Sequence, residues 1–185
     1  NSNQNLLKIL MLHGYKQNEN VFKDKTGGLR KRLKNLAEFF YCEAPNTVPK
    51  SSQQEQNIEE NDSNNNEIEK CWFLKKSERT TLDSQMFIDD FNRTLDYLDT
   101  IFKTHGPFHG IWGFSQGATV AYILSRLLND ESMSEQMINR KNINFKFVMI
   151  TATSQSQNEP EFNIYYNLER KLSIPSLHII GKGDK

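Results

Sequence analysis

The stretch that most constrains this chain is 106–128. A short apolar run from Phe108 to Trp112 is opened by Gly106-Pro107, passes through Gly113-Phe114-Ser115-Gln116-Gly117, and continues from Ala118 to Leu128 with the spacing of a helix. Gly-x-Ser-x-Gly between a strand and a helix is the pattern of a nucleophile elbow, a sharp turn that exposes a serine hydroxyl at the end of a strand. The glycines on either side keep side chains out of a cramped turn, where positive φ is expected. Gly117, Ala118 and Ala121 are small, as a helix packed close on a sheet requires. The same five residues also fit a plain glycine-rich turn with a passenger serine, so the rest of the chain must decide.

Residues 6–12 (LLKILML) form a nearly continuous apolar run, the mark of a strand buried on both faces of a parallel sheet. The loop 13–18 follows. Leu29, Leu33, Leu36 and Ala37 then recur at helical spacing after Gly27-Gly28. The basic residues Arg30, Lys31, Arg32 and Lys34 read as a solvated face of that helix rather than a phosphate site. A second strand is expected at 39–42, and at about 47–70 a polar insertion without apolar period, too poor in hydrophobic residues to order itself. Apolar character resumes at Cys71-Trp72-Phe73-Leu74, an extended piece packing back on the domain. A helical stripe through Leu82, Met86, Phe91, Leu95, Leu98, Ile101 and Phe102 predicts a helix over 82–104, capped by Thr81 or Asp83. Further strands are expected at 145–150 and 176–180, with a short helix around 165–170 between them. The alternation predicts one α/β domain over 1–185, built on a mostly parallel sheet with helices on both faces.

Acidic and basic residues balance at 23 each, which gives no electrostatic case for nucleic acid or a membrane surface. No apolar run is long enough for a transmembrane helix. Cys42 and Cys71, without a CxxC, make neither a disulfide framework nor a metal site and suit a reducing, cytoplasmic setting; a single bridge between them is the alternative. No GxGxxG or Walker pattern supports a nucleotide-binding reading.

A serine nucleophile needs a base, a group that orients the base, and donors for the oxyanion. For the elbow arrangement the donors are the backbone N–H of the residue after the serine and one from the loop after an early strand. Here these are Gln116 and, in the His13-Gly14-Tyr15 loop, Tyr15. The acid should follow the serine. Asp184, on a glycine-rich turn after the 176–180 strand, is the better candidate, and Glu159 ranks below it. The base should follow the acid, yet the four histidines, His13, His105, His109 and His178, all precede Asp184. His13 reads as shaping its loop, His105 and His109 flank the wrong end of the central strand, and His178 reads as a satisfied core histidine.

Leu12-His13-Gly14-Tyr15-Lys16-Gln17-Asn18, Phe22, the stretch 25–30, Ala44-Pro45, Trp72, Gly110 to Ala118, Ile174-Pro175-Ser176-Leu177-His178, and Gly181 with Asp184 together resemble the FSH serine hydrolase family. This α/β-hydrolase family includes the ovarian-cancer-associated serine hydrolases and fungal relatives. The resemblance spans nearly the whole chain. It implies carboxylesterase-type hydrolysis with Ser115 as nucleophile and Asp184 as the acid, and a histidine on a later loop. It also implies a variable 43–70 region. The start at Asn1 and the end just after Asp184 lead to the expectation of a piece of a longer protein. A true truncation, leaving a non-catalytic hydrolase-fold subunit with protein partners, is the rival. The expected substrate is a small-molecule ester, with no metal or organic cofactor, and Tyr15, Phe114 and Trp72 are candidates to line an acyl pocket.

Overall fold

The computed structural model describes residues 6–49, 68–75, 84–129, 137–152 and 171–181. The chain opens with β1 (Leu7–Leu12), two short helices α1 (Glu19–Lys25) and α2 (Gly27–Leu33), and β2 (Ala37–Cys42). Two-residue strands β3 (Asn46–Thr47) and β4 (Lys70–Cys71) follow, then the long helix α3 (Ser84–His105) and β5 (Gly110–Phe114). Helix α4 (Gln116–Asn129), β6 (Phe147–Thr151) and β7 (Ser176–Ile179) complete the described elements.

Five strands form one parallel sheet in the order β2-β1-β5-β6-β7. The alternation of side chains along each strand divides the core into two layers. Leu10 and Leu12 of β1, Ile111 of β5, and Val148 and Ile150 of β6 face a large cluster with α3 and α4. Ile9, Met11 and Trp112 face the other way, against Phe22 and Leu29 of the two short helices. This two-sided burial is why β1 reads as an unbroken apolar run. α4 is the central helix: Ala118, Val120, Ala121, Ile123 and Leu124 are fully buried. The predicted stripe of α3 is buried at Phe91, Leu95, Leu98, Ile101 and Phe102, with Phe87 beside them.

Several expectations change. Leu36 and Ala37 do not continue the helix. Leu36 lies in an exposed turn and Ala37 opens β2, where Ala37 pairs with Leu7. The helix α1, which presents Phe22 to the core, had no stripe to announce it, because one buried residue in seven has no period. Its start is marked instead by Asn18, whose side chain accepts the Val21 N–H at 2.8 Å. The strand at 176–179 pairs in parallel with β6 and is the last of the described strands; its four residues, His178 included, are exposed rather than packed among the described residues. Cys42 and Cys71 are free and buried, so the bridge alternative falls. Burial raises both thiols, Cys71 to about 12. The ends of the polar insertion are tied together, Asn46 with Cys71 and Thr47 with Lys70. Residues 50–67 of the insertion, the helix expected around 165–170, and the candidate caps Thr81 and Asp83 lie outside the described residues. Among the described residues no helix is long and apolar enough to cross a membrane.

The tightest point of the fold lies where α4 meets the sheet. A Cβ added at Gly117 would stand 2.3 Å from the Leu12 carbonyl oxygen and 2.6 Å from that of His13. One added at Gly113 would stand 2.2 Å from the Gly117 carbonyl oxygen. Both obstacles are backbone, which cannot swing aside. Gly117→Ala should therefore destabilise the domain by about 1–3 kcal/mol or more, read as a lower urea midpoint with an unchanged m-value.

Candidate active site

The strand order places a topological switch point between β1 and β5. From β1 the chain goes outward to β2 on one side, then crosses to β5 on the other. The loops leaving the carboxyl ends of β1 and β5 therefore diverge and leave a crevice, where ligands bind in open parallel sheets. Leu12 pairs with Gly113, so the 13–15 loop and Ser115 emerge side by side at that crevice.

Ser115 is the one-residue turn between β5 and α4, with φ of 52°. No glycine described has positive φ, so the conformation expected of the flanking glycines falls on the serine itself. A non-glycine residue held there costs on the order of 1–3 kcal/mol and needs surrounding structure to hold it. That hold is visible. The Ser115 N–H donates to the Thr151 carbonyl at 3.0 Å, and its own carbonyl accepts from Ala118 and Thr119 at 2.9 and 3.1 Å. Thr151 is held in turn, its hydroxyl accepting the Trp112 indole N–H at 2.9 Å. Gly113 and Gly117 serve close approach, as described above. Ser115 is partly exposed, and among the described residues its hydroxyl has no hydrogen-bond partner.

The backbone N–H of Gln116 is the first of α4, at the positive end of the helix dipole. Neither it nor the Tyr15 N–H has an acceptor among the described residues. The Gln116 side chain, unremarked in the sequence, is buried and turned away: its Oε1 accepts the Trp72 N–H at 2.9 Å and its Nε2 donates to the Phe73 carbonyl at 2.7 Å. Gly14 lies against Phe114, the residue before the serine; an added Cβ would be 3.1 Å from its ring. Tyr15 itself is partly buried beside Val48, Cys71 and Leu74, with the Lys75 ammonium 3.9 Å from its ring centroid.

Among the described residues no histidine is hydrogen-bonded to Ser115. His13 is fully buried. Its Nε2 accepts the Ala44 N–H at 3.0 Å, so the proton sits on Nδ1, which donates to the Gly14 carbonyl at 2.8 Å. Glu43 stands 3.8 Å from the same Nε2, a proximity and not an ion pair, since the ring is neutral and Nε2 is already accepting. Burial, opposed by the Gly14 bond and aided by Lys70, lowers the His13 pKa to about 4. His109 accepts the Lys8 N–H at 2.9 Å, and His105 stacks on Phe40 at 4.6 Å, both at the amino edge of the sheet. His178 aligns with Ile150, which aligns with Gly113, so it lies two strands, about 10 Å, from β5. Asp184 and Glu159 lie outside the described residues. Trp72 does not line an open acyl pocket; it is fully buried, with its indole N–H on the His13 carbonyl at 2.8 Å. Phe114 stacks on Phe22 of α1, centroids 6.1 Å apart.

A family of serine hydrolases described as "Serine hydrolase (FSH1)" matches residues 3–185. The chain belongs to this family. It is 31% identical to "Esterase OVCA2" of Danio rerio, over 97% of this chain and 78% of that one. The protein of the same name in Xenopus tropicalis is also 31% identical, over 97% of this chain and 74% of that one. Among solved structures, one of YahD with malic acid superposes with a TM-score of 0.51 at 12% identity, covering 98% of this chain and 87% of that one, a likeness of fold. The fold is that of the α/β-hydrolase-type proteins, a parallel sheet flanked by helices.

Because His13 stays neutral in the folded state while its ordinary pKa is 6.5, the unfolded chain binds the extra proton first as pH falls. Its contribution to stability is therefore complete above about pH 6.5 and declines as pH falls from there to about 4, by about 3 kcal/mol in all. Urea midpoints measured across that range should fall in the wild type, and His13→Asn should flatten this part of the slope.

Proposed function

We propose that the protein hydrolyses carboxylic esters through an acyl-enzyme on Ser115. The observation that carries the reading is Ser115 itself: a strained serine, its hydroxyl unengaged among the described residues, at the switch point between β1 and β5. Family membership and the names of the two relatives, both esterases, support the reaction class.

In this reading Ser115 Oγ attacks the ester carbonyl carbon and its proton passes to a histidine. The carbonyl oxygen becomes an oxyanion held by the Tyr15 and Gln116 amides, assisted by the positive end of α4. The alcohol leaves with the proton, forming the acyl-enzyme. Water then attacks the acyl carbon, gives up a proton to the same base, and the carboxylic acid departs as Ser115 regains its hydrogen. Asp184 is proposed to orient the base, from the turn after β7. None of the four histidines here is placed to act on Ser115, so the reading calls for a base from another segment of the protein. A small-molecule ester is the proposed substrate, and the chemistry calls for no metal or organic cofactor.

A fluorophosphonate probe applied to the full-length protein should label Ser115, identified by peptide mass, and Ser115→Ala should abolish labelling and ester turnover while leaving the fold intact. An intact, folded protein that neither labels nor turns over short-chain esters overturns the reading.

A further inference from the structure

The two amides assigned to the oxyanion belong to different elements, the loop after β1 and the first residue of α4. To act together they must be aimed at one oxygen, each about 2.7–3.1 Å from it. The sheet ladder ends below them, at Leu12 paired with Gly113. Something above the ladder has to hold the two segments in register.

We infer that Trp72 does this, as a positioning residue that binds both segments at once. The inference rests on the serine hydrolase reading above. From one side of Trp72 the indole Nε1 donates to the His13 carbonyl at 2.8 Å. From its main chain, the N–H donates to Gln116 Oε1 at 2.9 Å, and the next residue's carbonyl accepts Gln116 Nε2 at 2.7 Å. The Trp72 carbonyl is held too, accepting from Asn46 Nδ2 at 2.9 Å and from the Thr94 hydroxyl of α3. Every polar group of a fully buried residue is therefore engaged, and two of them end on the amide-bearing segments.

The consequence for Tyr15 follows from peptide planarity. In a trans peptide the N–H points opposite to the C=O. The peptide that carries the Tyr15 N–H begins with the Gly14 carbonyl, which accepts from His13 Nδ1 at 2.8 Å and from the Gln17 N–H at 3.2 Å. The His13 ring is held by the Ala44 N–H and its carbonyl by the Trp72 indole. Trp72 thus fixes the His13 peptide, and His13 fixes the direction of the Tyr15 N–H. On the other segment, the Gln116 carboxamide is bound on both atoms to the main chain of 72–73, which holds the residue whose backbone N–H is the second donor. Trp72 touches no substrate in this account; it acts through the positions of the two amides.

The test uses the full-length protein with a short-chain p-nitrophenyl ester, with competent sites counted by fluorophosphonate titration. Trp72→Phe keeps an aromatic ring and the main-chain bonds but loses the indole N–H. Gln116→Met keeps length and the backbone N–H but loses both carboxamide bonds. Each should lower kcat per titrated site by about 10- to 100-fold, with KM within about threefold. Affinity for a boronic acid, which forms a tetrahedral adduct on the serine, should fall in parallel. A structural role alone would lower the thermal midpoint or the titrated fraction but leave kcat per site unchanged. Should Trp72→Phe not fold, Gln116→Met decides. Turnover per titrated site within about twofold of wild type in the folded variants overturns the inference while leaving the Ser115 reading standing. A wild type that neither labels nor turns over removes both.

Discussion

The structure depends on how closely α4 approaches the ends of β1 and β5. Gly117 leaves no room for a side chain against the Leu12 and His13 carbonyls, and Gly113 leaves none against Gly117. The consequences spread outward from this contact. Ser115 must turn the chain in a single residue and accepts a left-handed conformation to do so. The small face at Ala118 and Ala121 lets the helix sink into the core, where its next turns meet the large apolar cluster shared with α3. The strain in the turn, on the order of 1–3 kcal/mol, persists because strand, helix and the Thr151 carbonyl all hold the residue in place.

A second layer of order comes from buried polar groups that must be satisfied. Leaving a buried donor or acceptor unpaired costs about 1–3 kcal/mol, so such groups dictate where their neighbours lie. His13, Trp72 and Gln116 are all removed from solvent and are linked by hydrogen bonds. Together with Asn46 and Thr94 they bind β1, α3, α4 and the segment after β4 into one piece above the sheet. This network accounts for the placement of an apolar, aromatic stretch at 71–74 that belongs to no long strand or helix yet is among the most buried parts of the molecule.

Much of the fold was legible in the residues. β1, β5 and α4 follow from an apolar run, a Gly-x-Ser-x-Gly turn and small residues in the helix, and the stripe of α3 marks its buried face directly. The failures have physical causes. Leu36 continued a helical spacing that the chain abandons, because Ala37 gains a strand pairing with Leu7. Within the candidate site, Ser115, Gln116 and the His13-Gly14-Tyr15 loop are brought to one crevice. An aromatic residue near a site suggests a pocket wall, and the sequence neighbours of Trp72 do not reveal that its indole N–H meets a carbonyl 59 positions away.

The sequence by itself determined the candidate site residues and the alternation of the main strands and helices around them, because these depend on local pattern: periodicity, glycine placement and small residues after Ser115. Only the tertiary structure decided that His13 is a neutral tie between Ala44 and Gly14, that the positive φ belongs to Ser115 and not to its glycines, and that the Gln116 side chain faces the 72–73 main chain. Each of these depends on which distant group supplies the partner for a buried atom, and that partner exists only once the strands have found their order in the sheet.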